Sequence, residues 1–287
     1  LQSCYILYVF CGATAVRNSA TRAATELFDT LSNSSHVSLN SSRVTNIPHR
    51  FVDILKKFQL PEIESVRYYS DYILYYDTRN KIAFWVYEHL TADSVRNSHV
   101  NRRYSEFLPE EDIHPFFRSN NGDYYRSGYD RGHLAAAANH KLEQQHCNET
   151  FRLCNISPQV GVGFNRDAWN NLEIHVRKLT NSYTHVYCFT GPLFLPRRED
   201  GKMYVKYEVI GNNNVSVPTH FFKIALLERS DGKYDVESYV LPNENIDNNV
   251  PLNNFFEEPE TIEKAAGFLF FDNVPKAEVI KINGRKV

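Results

Sequence analysis

The sequence predicts an α+β fold with a mainly antiparallel central sheet flanked by helices, and three observations support this. First, aromatic residues make up 14% of the chain, with 18 Tyr and 19 Phe, and aromatic side chains favour sheets. Second, several strand-like runs follow one another through short connections, which antiparallel strands allow. Third, apolar residues recur at helical spacing in separate stretches of the chain.

The composition is that of a soluble globular protein with room for a sizeable core. Hydrophobic residues make up 42% of the chain and charged residues 23%, which are ordinary values. At 287 residues, the chain is long enough for one large domain or two small ones. We find no internal repeat and no second core pattern, so the sequence predicts one folded domain over residues 47–287.

The first 46 residues are predicted to be a targeting or anchor segment followed by a poorly ordered linker. Residues 1–16 are mostly apolar but shorter than the roughly 20 residues that a membrane-spanning helix needs. They fit the end of a signal sequence, a short anchor or part of a targeting sequence. Residues 17–46 are rich in Ser, Thr, Asn and Ala, as transit and linker segments are. We expect no stable membrane span in the folded domain.

The five cysteines do not indicate a disulfide scaffold or a zinc site. Their number is odd, and Cys4 and Cys11 fall in the N-terminal apolar segment, so a disulfide framework is disfavoured. A zinc site is disfavoured because no C-x-x-C pair is present, and because a thiol in a strand-like run is commonly buried. The residues that would have supplied it are His140, His146, Cys147 and Cys154.

The first half of the folded domain predicts one short helix and one hairpin. Apolar residues at helical spacing indicate a helix over residues 49–58. Strands are predicted over residues 72–76 and 82–87, on either side of the polar turn 77–80, so the two should pair as a hairpin.

A longer helix is predicted over residues 165–180. Trp169, Leu172, Val176 and Leu179 recur at helical spacing, so they mark its buried face.

The remaining elements are predicted to be mostly strands. Residues 203–210 alternate between apolar and polar side chains, as a half-buried strand does. A helix over residues 259–266 should end at Gly267, because glycine commonly follows the last helical turn. The predicted strands cover residues 184–190, 203–210, 218–227, 234–241 and, last, 268–271.

His133 and its neighbours are the first candidates for chemistry. Imidazole has a pKa of roughly 6.5 and exchanges protons near neutral pH. Gly132 permits backbone conformations that other residues avoid, so His133 is predicted to be presented at the end of a strand. Arg131 supplies planar donors suited to a phosphate, and Asp130 is expected to fix the local hairpin.

Two polar residues of the predicted helix over 165–180 indicate a metal site. Asn165 lies in the apolar stripe one turn before Trp169, and Glu173 lies at its edge. A buried polar group needs a partner, and a hydrated metal is one candidate. Eight residues of helix span about 12 Å, so we expect Asn165 to bind the ion directly and Glu173 to hold a metal-bound water. Few protein ligands and several waters are usual for Mg²⁺ near phosphate.

These motifs resemble a known family. The sequence from Asp130 to His133 reads Asp-Arg-Gly-His, and that from Asn165 to Glu173 reads Asn-x-x-x-Trp-x-x-Leu-Glu. In this order they resemble the DNA/RNA non-specific endonuclease family. The run Tyr-Asp-Arg-Gly-His-Leu-Ala-Ala-Ala-Ala-Asn-His, with Thr-Gly-Pro-Leu-Phe-Leu-Pro after it, resembles the mitochondrial branch of that family, the endonuclease G group. The resemblance covers roughly residues 60–275.

The resemblance implies a ββα-metal nuclease fold and an Mg²⁺-dependent endonuclease domain over residues 47–287. Such an enzyme cleaves single- and double-stranded DNA and RNA to 5′-phosphate and 3′-hydroxyl ends, and Mn²⁺ can substitute for Mg²⁺. His133 would be the general base, Asn165 the metal ligand and Glu173 the group that orients the metal's waters. Arg131 would face the phosphate, and Asn155 would help to orient the site. The supporting residues would be Asp130, Gly132 and Trp169, and the substrate-binding residues Arg102, Arg103 and Arg126.

The resemblance also implies a homodimer and a cellular setting. It places the protein in the mitochondrial intermembrane space, with release to the nucleus and a part in mitochondrial or apoptotic DNA degradation; secretion is the alternative. The formal net charge is −2, whereas constitutive nucleic-acid binders are usually basic. This charge is still compatible with an enzyme that touches a few phosphates through a local basic cleft. Its cations would be Arg102, Arg103, Arg118, Arg126 and Arg131.

Two other functions fit the same residues. One is a 5′-directed exonuclease or a secreted nuclease on the same fold, although the Ala-Ala-Ala-Ala-Asn-His run at residues 135–140 favours the endonuclease branch. The other is a catalytically silent nucleic-acid-binding or inhibitory protein. The presence of both His133 and Asn165 argues against it, because a silent relative would be free to lose them.

Overall fold

The computed structural model describes residues 65–96 and 100–287. The segment 1–46 and the helix predicted over residues 49–58 lie outside the described residues. None of the helices within the described ranges is long and apolar enough to cross a membrane. The helices are α1 (Asn121–Tyr124), α2 (Gln144–Glu149), α3 (Trp169–Leu179) and α4 (Pro259–Ala266). Short 3₁₀ turns lie at Arg102–Tyr104, Pro115–Phe117, Leu153–Asn155, Leu252–Phe255 and Lys276–Glu278.

The strands form one large sheet and three small ribbons. In chain order they are β1 (Val66–Tyr68), β2 (Tyr72–Asp77), β3 (Ile82–Leu90), β4 (Tyr129–His133), β5 (Ile156–Val160), β6 (His185–Leu193), β7 (Arg197–Glu199), β8 (Lys202–Tyr204), β9 (Val209–Ile210), β10 (Val215–Ser216), β11 (His220–Glu228), β12 (Tyr234–Pro242), β13 (Val279–Ile282) and β14 (Arg285–Lys286). The large sheet has the order β1-β2-β3-β6-β11-β12-β13-β14. Its pairs are antiparallel except β12–β13. The predicted α+β class with a mainly antiparallel sheet is confirmed.

Both faces of the large sheet are covered, which explains why its central strand β11 is apolar along most of its length. Successive side chains of a strand point to opposite faces. On one face, Phe221 packs against Trp169 of α3, with 5.6 Å between ring centres. On the other, Phe222 packs 5.3 Å from Phe270, in the cluster that also contains Ile262 of α4. The two hydrophobic cores therefore lie on the two sides of one sheet.

Both helices predicted in the second half of the domain are confirmed. Residues 164–168 form a wide helical turn that continues into α3, so the helix predicted over residues 165–180 is present. This turn starts after Gly163, whose backbone is left-handed, with φ of 82°. Helix α4 ends at Gly267, which is also left-handed, with φ of 83°.

The strand predicted over residues 203–210 is wrong. Only its ends are in strands, β8 pairing with β7 and β9 pairing with β10. Val205 and Tyr207, which the alternation assigns to a buried face, are 50% and 43% exposed. An alternating pattern gives a continuous strand only where a neighbouring strand runs along its whole length, and here the partner strands reach only the two ends.

The strand predicted over residues 268–271 is also wrong. These residues form an irregular turn with a left-handed Phe271, φ 50°, and their rings fill the core beside Phe189 and Phe222. The parallel neighbour of β12 is instead β13, for which no strand was predicted.

Candidate active site

A two-stranded ribbon presents the Asp-Arg-Gly-His motif. Strand β4 pairs antiparallel with β5, so that Gly132 lies opposite Ser157 and Asp130 lies opposite Gln159. A Cβ at Gly132 would lie 2.1 Å from the Gln159 side chain. The requirement for glycine here is therefore space for Gln159 and not an unusual backbone angle, which corrects the reason inferred from the sequence. The resulting strand carries His133 at its C-terminal end, as predicted.

His133 is held as a neutral base between two aromatic rings. It is 7% exposed, and its Nε2 atom has no hydrogen-bond partner among the described residues. The imidazole lies 4.7 Å from the Phe151 ring and 5.6 Å from the Phe107 ring, measured between ring centres. Burial lowers the pKa of His133 to about 3, and the positive charges of Arg102 and His140 act in the same direction. At neutral pH the ring is therefore uncharged.

Two arginines flank the aromatic pair. The guanidinium carbon of Arg131 lies 4.1 Å from the centre of the Phe107 ring, and that of Arg102 lies 5.4 Å from the centre of the Phe151 ring. Arg131 also donates from Nη1 to Oδ1 of Asn121, at 2.7 Å. Both arginines are exposed, so their remaining donors can bind an anion next to His133.

The structure does not bring the other two predicted substrate-binding arginines to His133 in the same way. Arg103 is exposed on the turn that carries Arg102. Arg126 is exposed with a left-handed backbone, φ 55°, and its guanidinium lies 5.0 Å from the Tyr125 ring.

Asn165 is oriented by Asp130. Its Nδ2 donates to Oδ2 of Asp130 at 2.9 Å, and Arg166 donates to both oxygens of the same carboxylate, at 2.8 and 2.6 Å. The hydrogen bond from Arg166 holds the pKa of Asp130 below its usual range. Asp130 thus does more than fix the ribbon, which is the role that the sequence suggests for it.

This arrangement fits a metal ligand. With the donor end of the Asn165 amide engaged by Asp130, the carbonyl oxygen Oδ1 is the end left for another partner. Amide and carboxylate oxygens are the ligands that Mg²⁺ prefers, and few protein ligands are needed when waters complete the shell.

Glu173 lies on α3, two turns after Asn165, and is half-buried. The pKa of Glu173 is raised to about 7, and burial is the main cause. The charge of Glu88 acts in the same direction, whereas the charges of Lys223, Arg177 and Arg102 act in the opposite one. Arg102 also lowers the pKa of His133. The charge of Arg102 therefore acts on both His133 and Glu173.

Asn155 and Trp169 support the site from within. The Asn155 amide is fully buried and makes two hydrogen bonds to the backbone of Ala135. Its Oδ1 accepts from the Ala135 N at 2.9 Å, and its Nδ2 donates to the Ala135 O at 3.0 Å. It also donates to the O of Thr150, so it orients the segment after His133 and does not face a substrate. Trp169 is buried against Phe164, as its place in the helix stripe predicts.

Two buried charged residues near the site were not predicted from the sequence. Glu88 and Lys223 are buried in the apolar strands β3 and β11, and Lys223 donates to Oγ1 of Thr190 and lies 5.2 Å from the Trp169 ring. A charge inside an apolar strand is the signal that could have revealed them. Gln159, which the pattern left without a role, is buried with an unpartnered amide.

Comparisons with known proteins show the family of this chain. Residues 54–277 match the family model described as DNA/RNA non-specific endonuclease. The chain is 46% identical over 241 residues to a protein named mitochondrial endonuclease G from Caenorhabditis elegans, covering 83% of this chain and 78% of the relative. It is 48% identical over 221 residues to the human protein of the same name, covering 77% and 74%.

A solved structure agrees with the observed fold. It is a crystal structure of the EndoG/EndoGI complex, on the mechanism of EndoG inhibition, and it matches with a TM-score of 0.77 and 56% identity. The match covers 85% of this chain and 100% of that one.

Proposed function

We propose that this chain, which belongs to the DNA/RNA non-specific endonuclease family, is an Mg²⁺-dependent endonuclease that hydrolyses DNA and RNA to 5′-phosphate and 3′-hydroxyl ends. The observation that carries the proposal is a neutral imidazole, with an unpartnered Nε2, between two exposed arginines. A base beside anion-binding groups is what hydrolysis of a phosphodiester requires.

His133 takes the proton in this reaction. Its Nε2 atom accepts a proton from a water molecule, which then attacks the phosphorus. The aromatic walls of Phe107 and Phe151 exclude water from the rest of the ring, so the neutral form persists at physiological pH. Positioned acid–base catalysis contributes about 10²- to 10⁴-fold, so other groups must also act.

The two arginines and the amide supply the remaining stabilisation. Arg131 and Arg102 bind the phosphate oxygens on the two sides of His133. Asn165 would hold Mg²⁺ through Oδ1, and Glu173 would hold the ion's waters. When bound, the ion stabilises charge on the scissile phosphate and on the departing 3′ oxygen. All these groups address the backbone of the nucleic acid, so little sequence preference is expected.

We infer a mitochondrial location and a homodimeric state for the same enzyme. Relatives from worm, human and budding yeast are named as mitochondrial, while the intermembrane location and release to the nucleus follow only from the family resemblance. A run of exposed apolar and aromatic side chains supports a second copy as partner, because burial of such side chains by a partner is favourable. It is formed by Met203, Tyr204, Val205, Tyr207 and Val209.

Supercoiled plasmid DNA and single-stranded RNA, each incubated with the protein with and without Mg²⁺, test the activity. We expect nicked circles and shortened RNA in the presence of Mg²⁺, and no cleavage of either in EDTA. An exonuclease would leave the closed circles intact, and a silent binding protein would shift the plasmid in a gel without cutting it. Either of those results would contradict the proposal.

A further inference from the structure

A second histidine is buried between two carboxylates behind the candidate site. The His140 side chain is 1% exposed, with Nε2 lying 2.9 Å from Oε1 of Glu88 and Nδ1 lying 3.5 Å from Oδ2 of Asp71. Burial disfavours the charged ring, but the bonds to Asp71 and Glu88 outweigh it and raise the pKa of His140 to about 9. His140 therefore carries a fixed positive charge at neutral pH, whereas His133 carries none.

Glu88 connects this histidine to the helix that carries Glu173. The same oxygen, Oε1, that contacts His140 accepts a hydrogen bond from Nδ2 of Asn139 at 2.9 Å. The other end of that amide, Oδ1, accepts from Nη1 of Arg177 at 2.8 Å. Arg177 lies one turn after Glu173 on α3. A continuous chain of contacts thus runs from His140 through Glu88 and Asn139 to Arg177 on α3.

The segment between the two histidines is firmly held. Residues 134–137 are buried, and the Asn155 amide holds the backbone of Ala135 from both sides. His133 and His140 therefore stand at the two ends of one packed segment, so the position of each constrains the other.

We propose that His140 is a positioning residue for the reaction: a buried imidazole, clamped between Asp71 and Glu88, that ties the His133 segment to α3. This inference rests on the proposed function. One neutral and one protonated histidine in the same site divide two roles. The neutral ring, His133, serves as the base, and the protonated ring, His140, supplies a fixed positive charge.

The charges around each ring favour this division. The groups that face His140 are Asp71 and Glu88, and Asp71 is shared with His146, whose Nδ1 lies 2.7 Å from it. The influences on His133 are of the opposite kind: burial lowers its pKa first, followed by the positive charges of Arg102 and His140. The Tyr72 ring closes the His140 site, 5.7 Å away between ring centres.

Histidine ring resonances of the full chain, followed by NMR from pH 4 to pH 10, test the inference without any nuclease assay. We expect the His140 ring to stay charged through pH 8 and lose its proton near pH 9, and the His133 ring to stay neutral down to about pH 4 or below. A neutral His140 at pH 7 would overturn the inference. A chain that shows the expected titrations but cuts no DNA would instead contradict only the proposed function.

Variants separate positioning from mere support of the fold. In His140→Gln we expect the His133 midpoint to rise by about one pH unit, because a neighbouring like charge has been removed, and the acid limb of the pH–rate profile to move up with it. Glu88→Gln, which keeps an acceptor for Asn139, provides a second variant if His140→Gln is unstable. It should lower the His140 midpoint.

His175→Gln, which alters a separate His–Glu pair on α3 at 2.7 Å, is the matched control. Equal loss of rate at every pH with an unmoved His133 midpoint would mean that His140 only supports the fold.

Discussion

His133→Ala is expected to slow plasmid nicking by about 10²- to 10⁴-fold, the usual contribution of a positioned general base. The loss should fall on kcat, because the arginines that bind the phosphate, Arg131 and Arg102, pack on Phe107 and Phe151 and not on the imidazole. DNA affinity, measured by fluorescence anisotropy in Ca²⁺, should therefore change little.

A histidine outside the site controls for this substitution. His89 is exposed on the large sheet, where its Nε2 lies 2.9 Å from Nδ1 of His185 and its ring lies 4.7 Å from the Tyr187 ring. His89→Ala should cut at the unaltered rate. If His133→Ala cut as fast as His89→Ala, then His133 would not be the base.

Asn165→Ala is expected to lower activity by about 10²- to 10³-fold at saturating substrate, because it removes the only protein oxygen assigned to the ion and with it several kcal/mol of charge stabilisation. The apparent Mg²⁺ requirement should rise in the same variant. Titrating Mg²⁺ against nicking rate measures both effects.

Asp130→Asn provides the graded companion to Asn165→Ala. It leaves Asn165 in place but replaces the carboxylate of Asp130. That carboxylate accepts a hydrogen bond from Nδ2 of Asn165 and two hydrogen bonds from Arg166. Loss of an orienting partner of a ligand typically costs about 10- to 100-fold in metal affinity. Normal Mg²⁺ dependence in both variants would mean that Asn165 does not hold the ion.

Local patterns in the sequence predicted the parts of the fold that depend on neighbours along the chain. The β2–β3 hairpin follows from two strand-like runs around a polar turn, and α4 ends where Gly267 can adopt a left-handed backbone. Residues 203–210 fail for the opposite reason. Their alternation is a local signal, but a continuous strand depends on partners along its whole length, and β7 and β10 pair only with its ends.

The candidate site was predictable where a motif fixes the spacing and unpredictable where partners come from distant strands. His133 and Asn165 stood out from their motifs. The orienting contact between Asp130 and Asn165 joins residues 35 positions apart, and Glu88 meets His140 across 52 positions. Neither contact is encoded in a local pattern, because each joins segments that meet only in the folded chain.

Paramagnetic broadening by Mn²⁺ tests most directly whether His133 and Asn165 serve one ion, because such broadening falls steeply with distance. We expect the His133 ring resonances to broaden on addition of Mn²⁺ in the unaltered protein and to stay sharp in Asn165→Ala, while His89 stays sharp in both. A His133 signal that Mn²⁺ leaves sharp, or broadens equally without Asn165, would contradict a shared metal site.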